Sequence, residues 1–347
     1  MIYLDHNATS PLRLVALEAM VPWLGAAANP FSQHSLGRAA AAAVDRARAQ
    51  VAALAGWHRE GVYFTSGATE ANTTVLSRGR WMVSAVEHPS VLVWADSLLA
   101  VDASGRVRLD QLAVPGALDG YSGLSVMLAN NETGVVAPIV ELAALARNAG
   151  VLLHVDASQA PGRIPMRIDA DLVTLSAHKF GGPQGVGALL ARPGLFPEPL
   201  LRGGPQERGR RAGTHNVAGV VGMGAAAAAT FEAMSPARRD RLERALVAMG
   251  GRVAGVAADR LPNTCCVAFD GVEAADLVMA LDLEGIATSA GSACASGSPE
   301  PSHVLRAMGF AGSAVRFSLD ADTSDADVDA AAAALARVLA RMRAPPE

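Results

Sequence analysis

Apolar runs too short for helices recur along the first two-thirds of the chain, at 61–65, 81–86, 124–128, 151–155, 171–175 and 186–191. Each reads as a strand. Stretches of helical period lie between them. Residues 13–24 predict a helix, and so do 35–55, where Val44, Val51 and Leu54 recur at helical spacing before Gly56. Others follow over 139–148, from Ser66 and from Glu87. Strands alternating with helices predict an α/β fold with a mainly parallel central sheet covered on both faces. Such sheets bind ligands beyond the carboxyl ends of their strands, so the polar residues after Thr65, Val86, Ala129, Val155 and Leu175 should converge on one crevice. Beyond Asn216 the pattern changes. Helices at 217–231 and 236–249 precede a smaller αβ region: strand 264–269, helix 273–284, loop 289–301, helix 302–308, strand 314–319 and helix 325–342. The opening residues, 1–11, read as irregular. The expected division is a large domain over 13–234 and a small one built from 1–12 and 235–347.

The strand ends carry the candidate chemistry. The run 171–175 is followed by Ser176-Ala177-His178-Lys179-Phe180-Gly181-Gly182-Pro183. A lysine presented into a glycine-lined turn can condense with a carbonyl when its amine is accessible and partly desolvated; a solvated strand-end lysine is the plain alternative. Ser66-Gly67-Ala68-Thr69 offers backbone N–H groups at a helix start, which suits a phosphate or an ordinary cap. Asp156 ends a buried run and needs a partner. A pyridinium nitrogen is one, and the next helix start is another. Gln159 lies one turn on. His88 could lie over a cofactor ring, move a proton, or be structural.

Composition narrows the classes. The chain of 347 residues has room for one large or two medium domains. A net charge of −4 without a basic stripe argues against nucleic acid, and Arg202 to Arg211 reads as a Gly-rich site loop. No charged-then-apolar leader is evident, and the small-residue run 219–231 is too short to span a bilayer. Three cysteines make neither a disulfide framework nor a metal-ligand set, so no metal is expected and the setting is a reducing cytoplasm. Cys265 and Cys266 lie in an apolar run and should be core. Cys294 sits among small residues at 289–298, where an exposed thiol is a candidate nucleophile.

The chain resembles the PLP-dependent cysteine desulfurases of the NifS/IscS type, in the class V aminotransferase superfamily. The residues that carry the likeness are Tyr3-Leu4-Asp5-His6-Asn7-Ala8-Thr9, Phe64-Thr65-Ser66-Gly67-Ala68-Thr69-Glu70-Ala71-Asn72, Glu87-His88-Pro89, Asn130-Asn131-Glu132-Thr133-Gly134, His154-Val155-Asp156-Ala157-Ser158-Gln159 and Ser176-Ala177-His178-Lys179-Phe180. Gly203-Gly204-Pro205-Gln206-Glu207, Gly213-Thr214-His215-Asn216, Gly291-Ser292-Ala293-Cys294 and Val315-Arg316-Phe317-Ser318 follow in family order. The resemblance implies the fold of the PLP-dependent transferases of fold type I and the conversion of L-cysteine to L-alanine. Sulfur would pass to Cys294 as a persulfide and on to an acceptor protein, an iron–sulfur scaffold or a tRNA-thiolation protein.

The same resemblance implies roles. Lys179 would carry pyridoxal 5'-phosphate (PLP), Asp156 would pair with its ring nitrogen, and His88 would stack on the ring and assist with a proton. Gln159 and Asn131 would reach the phenolic side, with Asn131 also near the substrate. Ala68, Thr69, Ser176 and His178 would hold the phosphate, and Thr214 would complete that site in a neighbouring subunit, implying a homodimer. Arg316 would bind the substrate carboxylate. Other superfamily chemistries, an aminotransferase or a selenocysteine lyase, and a PLP-binding scaffold remain open on these residues. Two departures stand out. Asp320-Ala321-Asp322 replaces a Gly-Arg step frequent in relatives, and the chain ends soon after its last helix, which bears on partner docking.

Overall fold

The computed structural model describes residues 1–195, 198–230, 234–291 and 302–344. In chain order the first elements are β1 (Ile2–Tyr3), α1 (Leu14–Leu24), α2 (Ser35–Ala55), β2 (Val62–Thr65), α3 (Ala68–Leu76), β3 (Trp81–Ser84), α4 (Pro89–Leu92) and β4 (Ser97–Leu99). They continue with α5 (Leu109–Leu112), β5 (Gly123–Met127), α6 (Ile139–Ala149), β6 (Leu152–Asp156), β7 (Leu172–Ser176), β8 (Gly187–Ala191) and α7 (Val217–Ala228).

A seven-stranded sheet has the order β2-β8-β7-β6-β5-β3-β4. From β7 to β4 the pairs are parallel, and β8 alone runs antiparallel to its neighbours. Every residue of β2, β5 and β7 is buried, which is why these strands read as unbroken runs and not as alternations. The polar exceptions bond sideways. Ser125 and His154 meet at 2.8 Å, and His154 and Thr174 at 3.0 Å, bridging β5, β6 and β7. Burial pushes His154 down to about 4, so it stays neutral at pH 7. α7 packs against α1 and α2.

The chain then forms α8 (Ala237–Ala248), β9 (Gly251–Val253), β10 (Thr264–Phe269), α9 (Ala274–Leu283), β11 (Ile286–Ala287), β12 (Ser289–Ala290), α10 (His303–Ala307), β13 (Val315–Ser318) and α11 (Asp325–Arg343). A second, antiparallel sheet has the order β12-β13-β10-β9. Its own core gathers Leu242, Leu246, Leu277, Phe317 and Leu335. Cys265 faces that core and Cys266 the larger one, both fully buried as expected.

Several expectations need correction. The irregular opening contains β1, which pairs in parallel with β11; a two-residue strand whose partner lies far along the chain leaves no periodic signal. The loop expected from 289 begins with β12, paired with β13. The helix from Glu87 is a single turn, α4, begun by His88, whose Nδ1 accepts the Ser90 N–H. β4, α5 and β9 were too short to be legible. Among the described residues no helix is long and apolar enough to cross a membrane.

Candidate active site

A cavity of about 560 Å³ opens beyond the carboxyl ends of β2, β5, β6 and β7. Asp156, the last residue of β6, stands in its wall. Its Oδ2 accepts the Asn72 side-chain N–H at 2.9 Å and its Oδ1 accepts the Ser158 backbone N–H at 3.0 Å. Asn72 also donates to Ser90 Oγ at 3.0 Å, so α3 and α4 together fix the carboxylate. His88 faces the same space. Its Nδ1 accepts a backbone N–H, which puts the ring proton of the neutral form on Nε2. Burial lowers its pKa, with the Asp156 charge pulling the other way and Lys179 and His303 reinforcing the fall.

Lys179 sits on the tight turn after β7. Its Nζ donates to the carbonyls of Asn7 at 2.6 Å and Ala8 at 2.9 Å, which hold the half-buried lysine in the cavity wall. His178 packs its Nδ1 3.1 Å from Thr9 Oγ1, and burial, with Lys179 beside it, pushes it down to about 4. Ser176, buried, lines the cavity between them.

Opposite, α3 presents its N-terminus. No side chain caps it, and Ser66, Gly67, Ala68 and Thr69 all line the cavity. The approach of this turn depends on Gly187 in β8, where a Cβ would fall 2.7 Å from the Gly67 backbone. A side chain there would push the helix start out of place.

The last wall comes from the second sheet. Arg316 of β13 is 1% exposed. Its Nη2 donates to Asp5 Oδ1 at 2.6 Å and its Nη1 to the Asn131 carbonyl at 3.0 Å. Its Nε is buried without a hydrogen-bond partner among the described residues. Gln159 donates to the Asn7 carbonyl at 3.0 Å.

One cavity therefore gathers Ala68, Thr69, His88, Asn131, Asp156, Gln159, Ser176, His178, Lys179 and Arg316. Thr214 stands apart, lining a smaller cavity of about 150 Å³ that shares Ser66 and Gly185 with the first. Cys294 lies outside the described residues. The family model described as Aminotransferase class-V matches residues 2–331.

The chain belongs to the class-V aminotransferase family.

Similar members of the class-V aminotransferases include a cysteine desulfurase of Cereibacter sphaeroides, 45% identical over an alignment that spans 99% of this chain and 97% of that protein. A cysteine desulfurase of Rhodobacter capsulatus is 44% identical, across 99% of this chain and 98% of its own. The X-ray structure of a NifS-like protein from Rickettsia africae superposes with a TM-score of 0.90 at 30% identity, covering 98% of this chain and 99% of that one.

Several residues of this class-V aminotransferase site had been legible only as parts of motifs, without a task. Asn72 holds Asp156, Asp5 holds Arg316, and Asn7 bridges Lys179, Gln159 and Asn131 through its carbonyl and amide. Glu87 is fully buried, and burial beside Asp156 raises its carboxyl well above the usual range. Arg163 belongs to no motif. It lies buried behind the Lys179 turn, bonded to Gln159 and to the His6 and Lys179 carbonyls. Burial lowers it to about 10, with the Asp320 charge opposing, so it remains a cation. Only its bonds, which reach from nearby Gln159 to remote His6, reveal it.

Proposed function

We propose that this chain is a PLP-dependent cysteine desulfurase that converts L-cysteine to L-alanine and leaves the sulfur on Cys294. The observation that carries the reading is the meeting of Lys179 Nζ, Asp156, His88 and Arg316 around one cavity. Relatives named cysteine desulfurase over nearly their whole length supply the reaction.

The residues present fit PLP. A fixed carboxylate at Asp156 suits a protonated ring nitrogen, the uncapped start of α3 suits a phosphate, and Ser158 Oγ is a buried cavity-lining hydroxyl without a partner among the described residues. Lys179 would hold the cofactor, His88 would lie against its ring, Gln159 and Asn131 would face its phenolic side, and Ala68, Thr69, Ser176 and His178 would hold its phosphate. Bound there, PLP supplies an electron sink for bond breaking at the substrate's α carbon.

The chain's own groups do the rest. The Arg316 fork, aligned by Asp5 and Asn131, binds the substrate carboxylate. Lys179 Nζ takes the α proton, and His88 Nε2 moves a proton near the departing sulfur. The Cys294 thiolate attacks that sulfur. The substrate's Cβ–S bond breaks, an S–S bond forms on Cys294, and protons delivered to the three-carbon fragment complete alanine. The persulfide then passes to an acceptor protein, an iron–sulfur scaffold or a tRNA-thiolation protein. We assign the cofactor to a large domain over 13–234, and the Cys294 segment to a small one from 1–12 and 235–347. Thr214, in the adjoining cavity, completes the phosphate site of a second copy in a homodimer. A reducing cytoplasm suits the required thiol.

The PLP-loaded protein should show the visible absorbance of lysine-bound cofactor and lose it on Lys179→Ala. With L-cysteine and a reductant it should form alanine and sulfide in equal amounts. An unchanged Lys179→Ala spectrum, or alanine formation that requires a 2-oxo acid, contradicts the reading.

A further inference from the structure

Glu132 follows Asn131 in the loop after β5 and is 3% exposed. It does not line the cavity. Its Oε2 accepts the Ser302 hydroxyl at 2.5 Å. Ser302 in turn begins α10, where its Oγ accepts the N–H groups of Val304 and Leu305. The same Oε2 faces Gly291, where a Cβ would approach it to 2.9 Å. Gly291 is further fixed by its N–H bond to Ala314. Gly291 and Ser302 are the described residues that flank 292–301, the stretch containing Cys294. One oxygen thus bonds the residue at one end of that stretch and lies close to the residue at the other.

The other side of Glu132 leads to the substrate wall. Its N–H donates to Asn130 Oδ1, which also accepts from the Thr133 N–H and hydroxyl. The neighbouring Asn131 carbonyl receives Arg316 and Asn7. We propose that Glu132 is a positioning residue for sulfur transfer: it ties Ser302, where the chain leaves the Cys294 segment, to the loop that aligns the substrate-binding Arg316, and it lies against Gly291, where the chain enters that segment. The inference rests on the desulfurase reading for the role of Cys294.

This tie responds to pH. Burial raises Glu132 to about 7, against the Ser302 hydroxyl and the Arg316 charge, which favour ionisation. The titratable groups facing it are Arg316 on β13 and Cys266 on β10. Cys266, pushed up to about 12, stays a neutral thiol, and the start of α10 adds the Ser302 hydroxyl and no charge. An ionised Glu132 grips Ser302 through a charge-assisted bond, and a neutral one grips it less. Sulfur transfer should therefore gain from Glu132 as pH rises through about 7.

Glu132→Gln keeps the size and the acceptor oxygen but cannot ionise. In single turnovers of the PLP-loaded enzyme, we expect persulfide formation on Cys294 to match the parent near about pH 6. It should fall about tenfold behind near about pH 8.5, as expected when a charged hydrogen bond becomes neutral. The L-cysteine concentration that half-completes the visible spectral change should stay within about twofold of the parent's. In a Ser302→Ala background the same Glu132 substitution should give a pH-independent ratio. Urea unfolding without substrate or cofactor gives a second readout. A carboxyl raised from about 4.5 unfolded to about 7 folded loses its stabilising contribution as pH rises through that window, so the parent should weaken relative to Glu132→Gln. A parent-to-variant rate ratio that is flat in pH, or unfolding curves that keep a constant offset, overturns the proposal. If instead Cys294→Ala still yields alanine at the parent rate, the desulfurase reading of Cys294 fails, while the unfolding comparison still reports on Glu132.

Discussion

Arg316 concentrates the argument at the scale of a residue. A fully buried guanidinium must spend its donors, and Asp5 and the Asn131 carbonyl take two of them. The Nε, without a partner among the described residues, and the cavity beside the guanidinium leave room for a carboxylate. Arg316→Lys retains the charge but not the planar fork. It should raise the KM for L-cysteine about tenfold while changing kcat less, read from initial rates of alanine formation. A KM unchanged within error would remove Arg316 from substrate binding. Asp156 and Lys179 were legible because each ends a buried run, where a charged group requires a reason. Asp5 and Asn72 were not, because an acid and an amide in polar stretches are ordinary until their partners, on β13 and β6, are known. Arg163 had no local signal at all.

At the scale of elements, the 203–216 stretch, whose 202–211 part reads in the sequence as a Gly-rich site loop, is held by a buried ion pair that its sequence does not announce. Glu207 is buried, and it accepts two bonds from Arg48, at 2.7 and 2.8 Å, one from His215 at 2.7 Å and one from the Phe64 N–H at 3.0 Å. Glu207 and Arg208 hold φ of 45° and 57°, a conformation that costs non-glycine residues about 1–3 kcal/mol each. The network thus secures the backbone that leads to Thr214. Burial alone would raise the Glu207 carboxyl, but Arg48, His215 and the Phe64 amide hold it down at about 2. The stabilisation is present above the unfolded carboxyl range, near about 4.5, and fades as pH falls from there toward about 2. Glu207→Ala leaves Arg48 buried without its partner and should cost about 3–5 kcal/mol near neutral pH. In denaturant titrations that deficit should shrink as pH drops below about 4.5. A deficit that persists undiminished at low pH would show that packing, and not the ion pair, carries the stability.

Across the whole molecule, the strand-and-helix alternation was legible because β2, β5, β6, β7 and β8 are nearly continuous apolar runs, as the inner strands of a covered sheet must be. The common direction of their ends gathered Thr65, Asp156 and the turn after Leu175 before any distance was known. Strand order, the reversed β8 and the pairing of β1 with β11 depend on contacts between remote residues, which periodicity does not encode. The second sheet delivers Arg316 to a cavity otherwise built on the first, and Asn7 stitches the two with bonds to Thr264 and to the Asn131 carbonyl. On the proposed reading, the substrate would lie in this cavity and its sulfur would pass to Cys294.

That convergence is tested most directly by mapping where the sulfur goes. The PLP-loaded protein is mixed with L-cysteine labelled at sulfur, quenched with an alkylating agent, and digested for mass spectrometry. The account predicts one additional labelled sulfur atom on the peptide containing Cys294, formed together with one alanine. Cys265 and Cys266 should be unlabelled, and no persulfide should form on Cys294→Ala. Alanine released at the parent rate by Cys294→Ala, or label found on Cys265 or Cys266, would contradict it.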